Sequence, residues 1–325
     1  MAHAASNSYL LTKRNSAEPW SGVSMPIHAY VLNLKRRPDR ADRMSQILER
    51  QGIPFELVPA LDYTDPEVMA EVERRRAIPG GIQNRGAIAC TMSHEVIWQR
   101  IADSHAQHAV VFEDDIVVAD DLAATLADPA LVPADADIVK LETYLKARTR
   151  YDRSATTVVG RYGVHRLRAH SMGAAAYLIT RKAAVALLAR PLPARVIDWI
   201  LFDEIEGLLN ELTVYQMVPA PVAQGSVLIQ KRDWPSDPIY ASDIKPVMAE
   251  TDRTLYRPRP PFTVPDDRKL LLTRRFGLSR RLQSIERSMR TQAFRALWRL
   301  RGQSMGAVPF ALDGQEPKGA SDRTP

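Results

Sequence analysis

Three consecutive acids, Glu113-Asp114-Asp115, interrupt the apolar run from Val110 to Val118. Adjacent carboxylates repel one another, and burying them is unfavourable unless a cation or hydrogen-bond donors compensate. In an extended strand side chains alternate, so Glu113 and Asp115 share one face and Asp114 takes the other. A same-face carboxylate pair at the carboxyl end of a parallel strand lies where α/β sheets take their ligands. Hard oxygen ligands of this kind suit Mg2+ or Mn2+, which can bridge a protein to a diphosphate. The alternative is a solvated turn whose acids cap the next helix.

A second group, Asn33-Leu34-Lys35-Arg36-Arg37-Pro38-Asp39-Arg40, follows an apolar segment directly. Arginines at a strand end, just before a helix N-terminus, form an anion site because guanidinium forks and free backbone N–H groups converge there. The plain alternative is a charged surface loop. No Gly-rich dinucleotide fingerprint and no P-loop occurs, which argues against ATPases and nicotinamide enzymes. His94 opens a helical stretch and reads as an ordinary hydrogen-bonded histidine. His28, His105, His108, His165 and His170 show no metal-ligand spacing. Trp98, Trp199 and Trp234 read first as core aromatics, and Cys90 as a small buried apolar residue.

These groups need a scaffold, and the hydropathy pattern supplies one. Residues 28–34 read as a strand, 39–51 as a helix closed by Gly52, and 55–60 as a second strand. Asp65-Pro66 opens another helix, 93–102 is a helix, and 109–112 is the clearest buried strand. Residues 137–141 and 174–180 are further strands, the latter followed by a helix over 181–189. Strands alternating with helices predict an α/β fold with a mostly parallel sheet. The 325 residues, 45% hydrophobic and 25% charged, suffice for one large domain and exclude wholesale disorder, collagen and a disulfide scaffold. A single cysteine allows no internal disulfide and fits a reducing cytosol. No apolar run approaches the roughly 20 residues that span a bilayer. Residues 1–25 lack an apolar stretch of signal-peptide length, so they read as a flexible leader without export.

Taken in order, NLKRRPDR, GAIACTMSHEVIWQRI, VVFEDDIVV, HSMGAAAYLITRKAAVALL and RVIDWILFDE resemble the motifs of glycosyltransferase family 25. These are lipopolysaccharide-biosynthesis glycosyltransferases related to collagen galactosyltransferase domains, and the resemblance covers residues 26–230. It implies a GT-A-like (Rossmann-like) fold, a UDP-sugar donor, commonly UDP-galactose, a divalent cation (Mn2+ or Mg2+), and inversion at the anomeric carbon. By the same resemblance Asn33, Leu34, Arg37 and Arg40 would hold the nucleotide. Glu113, Asp114 and Asp115 match the acidic metal and donor motif, with Glu113 and Asp115 as ligands and Asp114 on the donor. Gly173 and Tyr177 match a Gly-Thr-x-x-Tyr-like donor segment, and Ser93-His94 a Ser-His pair. Ala174 stands where a Thr is common, and Ala87 where an acid is. Transfer requires a base for the acceptor hydroxyl. Asp198 is the candidate because Trp199 beside it can stack on an acceptor sugar, and Asp203 and Glu204 are its competitors. The alternative is that Asp198 caps a helix over 199–209.

The basic charge is local. From Arg268 to Arg301 eleven Lys and Arg face one acid, net +10, which leaves −4 for the rest of a chain of net charge +6. The expected organisation is a glycosyltransferase domain over 26–253, a Pro-rich linker at 254–265, a basic amphipathic helical segment over 266–303 and a disordered tail at 304–325. An apolar stripe flanked by arginines predicts binding to an anionic membrane surface. That would bring the enzyme, cytoplasmic and peripheral to the inner face of the membrane, to a saccharide or lipid-linked glycan acceptor. Two other classes compete: a nucleic-acid-binding protein using the basic segment, which leaves the acids unexplained, and a catalytically silent scaffold. No specific nucleic acid is expected.

Overall fold

The structure, a computed structural model, describes residues 27–145, 149–229, 237–241, 243 and 298–311. The first half runs β1 (Ala29–Asn33), α1 (Pro38–Arg50), β2 (Phe55–Pro59), α2 (Pro66–Arg76), α3 (Arg85–Asp103), β3 (His108–Glu113), β4 (Ile116–Val118), α4 (Leu122–Ala127), β5 (Ile138–Lys140) and β6 (Glu142–Thr143). It continues with β7 (Thr149–Asp152), β8 (Thr157–Val159), β9 (Tyr162–Arg166), β10 (Ala176–Thr180), α5 (Arg181–Leu188), α6 (Ile197–Phe202), β11 (Val214–Val218), β12 (Val222–Gln224), α7 (Gly225–Leu228) and β13 (Gln303–Gly306).

Eight strands form one sheet in the order β2-β1-β3-β10-β5-β11-β9-β8. Its two faces follow from side-chain alternation. Val31, Val110, Phe112 and Leu178 pack with Met44 and Leu48 of α1. Tyr30, Leu32, Val111, Tyr177 and Ile179, their neighbours in sequence, pack against Ile97, Trp98 and Ile101 of α3 and Ala183 and Leu187 of α5. Near-continuous apolar strands are what a sheet covered on both faces requires.

The fold is α/β as expected, but the sheet is mixed rather than mostly parallel. β1 pairs parallel with β2 and β3, and β5 with β11. β10 runs antiparallel between β3 and β5, and β9 antiparallel to β11 and β8. The strand β10 and the hairpin β8–β9 reverse direction because they are entered through loops rather than crossover helices. The consequence for function is geometric: the carboxyl ends of β1, β3 and β5 meet the amino end of β10 at one edge.

Two helices differ from expectation in extent. α3 begins eight residues before Ser93, because Asn84 accepts a hydrogen bond from the Ala87 N–H at 2.9 Å and caps it. α6 stops at Phe202, where Asp203 turns the chain, so the helix expected over 199–209 is short. Residues 1–25, the linker at 254–265 and 266–297 of the basic segment lie outside the described residues. Residues 304–311, expected in a disordered tail, are instead ordered. β13 pairs antiparallel with β7, the Ala220 N–H donates to the Pro309 carbonyl, and Val308 and Ala311 are buried. Their apolar side chains supply the burial that the flanking polar sequence lacks. Among the described residues no helix is long and apolar enough to cross a membrane.

Candidate active site

The cleft at this edge is walled by the β1 end and the start of α1 (Leu34, Arg36, Arg40), by one face of α3 (Gly86, Ala89, Cys90, Ser93), and by Glu113, Asp114 and Asp115. Residues 86, 89, 90 and 93 recur at three and four, so α3 presents one stripe of small side chains there. Small residues leave the space that larger ones would fill. Cys90 is accordingly half-buried, packed against the core on one side and walling the cleft on the other, with Sγ 3.6 Å from Glu113 Oε1.

Pro38 starts α1 and puts Arg40 on its inner side, 3% exposed. Arg40 Nη1 donates to Asp114 Oδ1 at 2.9 Å, and Asn33 Nδ2 donates to Asp114 Oδ2 at 2.7 Å. Both Asp114 oxygens are therefore engaged in tying the ends of β1 and β3 to α1. Burial pushes the Asp114 carboxyl up although Arg40 and Asn33 pull it down. Arg37 lies outside the cleft wall, paired with Asp39 at 2.8 Å and Asp243 at 3.0 Å. Each of the three guanidiniums has a partner of its own: Arg36 pairs with Asp62, Arg37 with Asp39, Arg40 with Asp114. Asp243 is shared by all three, at 4.0, 3.0 and 3.1 Å.

β3 ends at Glu113 and the chain turns through Asp114 before β4, yet Glu113 and Asp115 still converge on the cleft. Burial, then like-charge repulsion (chiefly from Asp114 on Glu113 and from Glu113 on Asp115), push each carboxyl up to about 7. Asp115 Oδ2 meets Gln224 Nε2 at 3.4 Å, and its buried Oδ1 has no hydrogen-bond partner among the described residues. Two mutually repelling hard carboxylates, one with an orphaned buried oxygen, fit a divalent cation.

Cys90, His94 and Glu113 also lie within 4.8 Å of one another, but their protons argue against a metal there. Trp98 Nε1, a donor only, gives its hydrogen bond to the Tyr177 hydroxyl at 2.9 Å. That hydroxyl, 2.8 Å from His94 Nδ1, finds an acceptor for its own proton there. The proton of the neutral ring then sits on Nε2, which faces Glu113 Oε1 at 3.5 Å as a donor. Burial lowers the His94 pKa to about 3, keeping it neutral, and burial and Glu113 raise the Cys90 thiol well above its ordinary range. A protonated Nε2 and a protonated thiol are poor ligands. His94 thus orients Glu113. Tyr177, expected on the donor, is fully buried with its hydroxyl in this relay and does not reach the cleft.

Gly173, with φ +85°, begins the approach to β10, and its N–H donates to Asp198 Oδ2 at 3.1 Å. Asp198 is not among the residues that line the cleft; its Oδ1 accepts from the Trp199 N–H at 3.0 Å, and it lies within electrostatic range of Glu113, Lys140 and Glu142. Its two competitors are engaged as well. Asp203 Oδ1 caps the N–H groups of Ile205 and Glu206, its Oδ2 lies 3.1 Å from His170 Nδ1, and its carboxyl is held to about 2 by those bonds against the opposing effect of burial. Such a carboxylate is a weak base. Glu204 Oε2 accepts from the His170 N–H at 2.7 Å. Sequence reasoning passed over Lys140, Glu142, Gln224 and Asp243. The first two carried a signal, charges at i and i+2 in an apolar strand.

A family model described as glycosyltransferase family 25 (LPS biosynthesis protein) matches residues 26–197. The chain belongs to glycosyltransferase family 25. It is 27% identical over 215 residues to the lipooligosaccharide biosynthesis protein lic2B of Haemophilus influenzae, covering 62% of this chain and 77% of that one. It is 28% identical over 215 residues to the lacto-N-neotetraose biosynthesis glycosyltransferase LgtB of Neisseria meningitidis, covering 60% and 73%. A glycosyltransferase 25 family member of Drosophila pseudoobscura is 31% identical over 97 residues, 27% of this chain and 16% of that one. This family 25 protein is a glycosyltransferase, and its matched segment contains the β1 end, α3, the acid pair and the Gly173 turn.

Proposed function

We propose that this family 25 enzyme is a GT-A-like, inverting transferase that moves galactose from UDP-galactose to a saccharide acceptor of a surface glycan such as lipopolysaccharide. The observation that carries the reading is the Glu113/Asp115 pair across one cleft from the arginine-bearing end of β1. Glu113 and Asp115 would hold Mn2+ or Mg2+, which when bound neutralises charge developing on the departing diphosphate. Asn33 and Leu34 border the nucleotide, and Arg40, with Arg37 just outside the cleft wall, would offer guanidinium donors to its phosphates once Asp243 and the Ile239 and Ala241 carbonyls give way. Asp114 sets Arg40 in place.

Asp198 takes the proton of the acceptor hydroxyl as the new glycosidic bond forms and the bond to UDP breaks. Attack from the face opposite the leaving group inverts the anomeric carbon. Trp199 is half-buried beside Asp198, with an edge-on contact to His170 at 5.7 Å, and offers a surface for an acceptor ring. A panel of UDP-sugars offered to the purified protein, with and without chelator, tests the donor and the cation. Asp198→Asn should lower turnover by about 10² or more with UDP affinity unchanged. Near-normal turnover of that variant would remove Asp198 as base.

The basic residues between Arg268 and Arg301 are the proposed contact with an anionic membrane, each contributing up to about 1 kcal/mol near the surface. That places the enzyme on the cytosolic face, beside a lipid-linked acceptor. Truncation is a poor test because residues 298–311 pack on the domain. Replacing Arg274, Arg275, Arg280 and Arg281 by Gln in the full chain is better. Co-sedimentation with anionic vesicles should fall in that variant, and equal pelleting of both proteins would refute the contact.

A further inference from the structure

Lys140 and Glu142 are both without exposed surface, near the middle of the fold. Burying two opposite charges is commonly no more stabilising than burying apolar residues of the same volume. Their contacts give a different reason for them. They project from one side of the chain as it passes from β5 to β6, while Leu141 between them enters the opposite core.

On their side lies the turn at 171–175. Lys140 Nζ donates to the Met172 carbonyl at 2.5 Å and to the Gly173 carbonyl, and lies 4.4 Å over the Phe202 ring. Glu142 Oε2 accepts from the Ala175 N–H at 2.6 Å. A Cβ on Gly173 would sit on the Glu142 carboxylate, so only glycine brings the turn this low. The peptide joining Met172 to Gly173 is the key unit. Its carbonyl accepts from Lys140 and its N–H donates to Asp198. A cation on the carbonyl polarises the N–H of the same peptide and strengthens its bond to the carboxylate.

We propose that Lys140 and Glu142 are positioning residues for glycosyl transfer: Lys140 grips the Met172–Gly173 peptide that holds Asp198, and Glu142 pins the far side of the turn. This rests on Asp198 being the base. The charged and titratable groups in range of Asp198 are Cys90 of α3, Glu113 of β3, Lys140 of β5 and Glu142 of β6. Only Lys140 among them is a cation.

Lys140→Met keeps the bulk beside Phe202, and Glu142→Gln keeps the shape and the acceptor for Ala175. The double variant removes both charges together and so leaves neither buried alone. Turnover at saturating substrates should fall about tenfold to a hundredfold in each, as expected when a reacting group is misplaced, while the dissociation constant for UDP stays within about twofold. The loss should fall on turnover while the KM for the donor and the melting temperature of the double variant stay near those of the wild type, a split that a merely structural role would not produce. Normal turnover in a folded double variant, or parallel loss of UDP affinity and turnover, overturns the proposal. Asp198→Asn separates the two readings: if it is dead and the double variant is normal, positioning fails alone; if it is normal, the base assignment fails first and the proposal with it. The wild-type protein supplies a check that needs no variant. The amides of Gly173 and Ala175 should exchange with solvent as slowly as those of β10, and faster exchange at these two would refute the clamp.

Discussion

Asp115→Asn should make the cation-free protein more stable while abolishing transfer. Asp115 is 5% exposed, its Oδ1 has no partner among the described residues, and burial and Glu113 lift its carboxyl from 3.8 to about 7. Each decade of such a rise is about 1.36 kcal/mol against the ionised folded state. About three decades give roughly 4 kcal/mol for the pair's mutual repulsion and burial, and because Glu113 shares that repulsion, about half is assigned to removing one partner. About 2 kcal/mol corresponds to a rise of roughly 4 to 8 °C in melting temperature for a domain of this size. The sign with pH follows from the raised folded values. Between about pH 4 and 7 the unfolded chain has already lost these protons and the folded chain has not, so stability falls as pH rises through that window. The assay is thermal melting by circular dichroism at pH 5 and 7.5, with chelator or excess Mn2+, beside a transfer assay. The wild type should lose stability from pH 5 to 7.5 in chelator and regain it with Mn2+; the variant, in which burial and Asp114 still raise the Glu113 carboxyl, should lose less and regain little. A variant that melts lower than wild type in chelator at pH 7.5, or that still transfers sugar, refutes the reasoning.

Other perturbations separate binding from structure. Asp243→Asn should tighten UDP binding by about three- to tenfold, measured by calorimetry, because Asp243 is the carboxylate that Arg36, Arg37 and Arg40 share and that a phosphate would have to displace; unchanged or weaker binding counts against displacement. Asp203→Asn keeps an Oδ1 acceptor for the Ile205 and Glu206 N–H groups but loses the charge and the Oδ2 contact to His170, and should reduce stability by about 1 kcal/mol while leaving turnover near normal. Since the Asp203 carboxyl is held to about 2, that difference should vanish as pH falls from about 4 to 2, and a dead but fully stable variant would return Asp203 to the chemistry. Tyr177→Phe should cost about 1 to 3 kcal/mol by stranding the Trp98 N–H, with UDP affinity unchanged; a large loss of UDP affinity at wild-type stability would make Tyr177 a donor ligand after all.

The acid pair was legible because its signal is local: a buried strand that runs straight into carboxylates has few tolerable outcomes. The arginines after β1 were legible for the same reason. Their partner Asp243 was not, since it lies more than 200 residues away and only the fold brings it to them. Tyr177 shows a different limit. Its motif position suggested a ligand contact, but alternation along β10 points it into the face shared with α3, where the Trp98 N–H needed an acceptor. The antiparallel direction of β10 and the return of 303–311 onto β7 depend on long-range pairing with no signature in the segments themselves. The early start of α3 did have one, the Asn84 cap, hidden behind a glycine-rich stretch that also reads as loop.

The distribution of charge explains why so many acids can meet in one place. Asp114 is answered by an ion pair with Arg40, whereas Lys140 acts on Glu142 only at electrostatic range and burial still pushes that carboxyl up to about 7. Asp198 is answered by a peptide N–H whose carbonyl that same Lys140 holds. Among the described residues the Glu113 carboxylate receives only the weak donors His94 Nε2 and Cys90 Sγ, and that of Asp115 only a long contact from Gln224. Among the described residues Glu142 Oε1 also lacks a partner, but Glu142 stands away from the cleft, and the under-satisfied carboxylates that line the cleft together are Glu113 and Asp115. A scaffold selected for stability alone would have neutralised these first, since each is buried and each raises the other's proton affinity. Leaving them charged and close is consistent with a site in which an incoming cation and diphosphate complete the electrostatics, and it is why removing one of them should stabilise the fold and end the reaction at the same time.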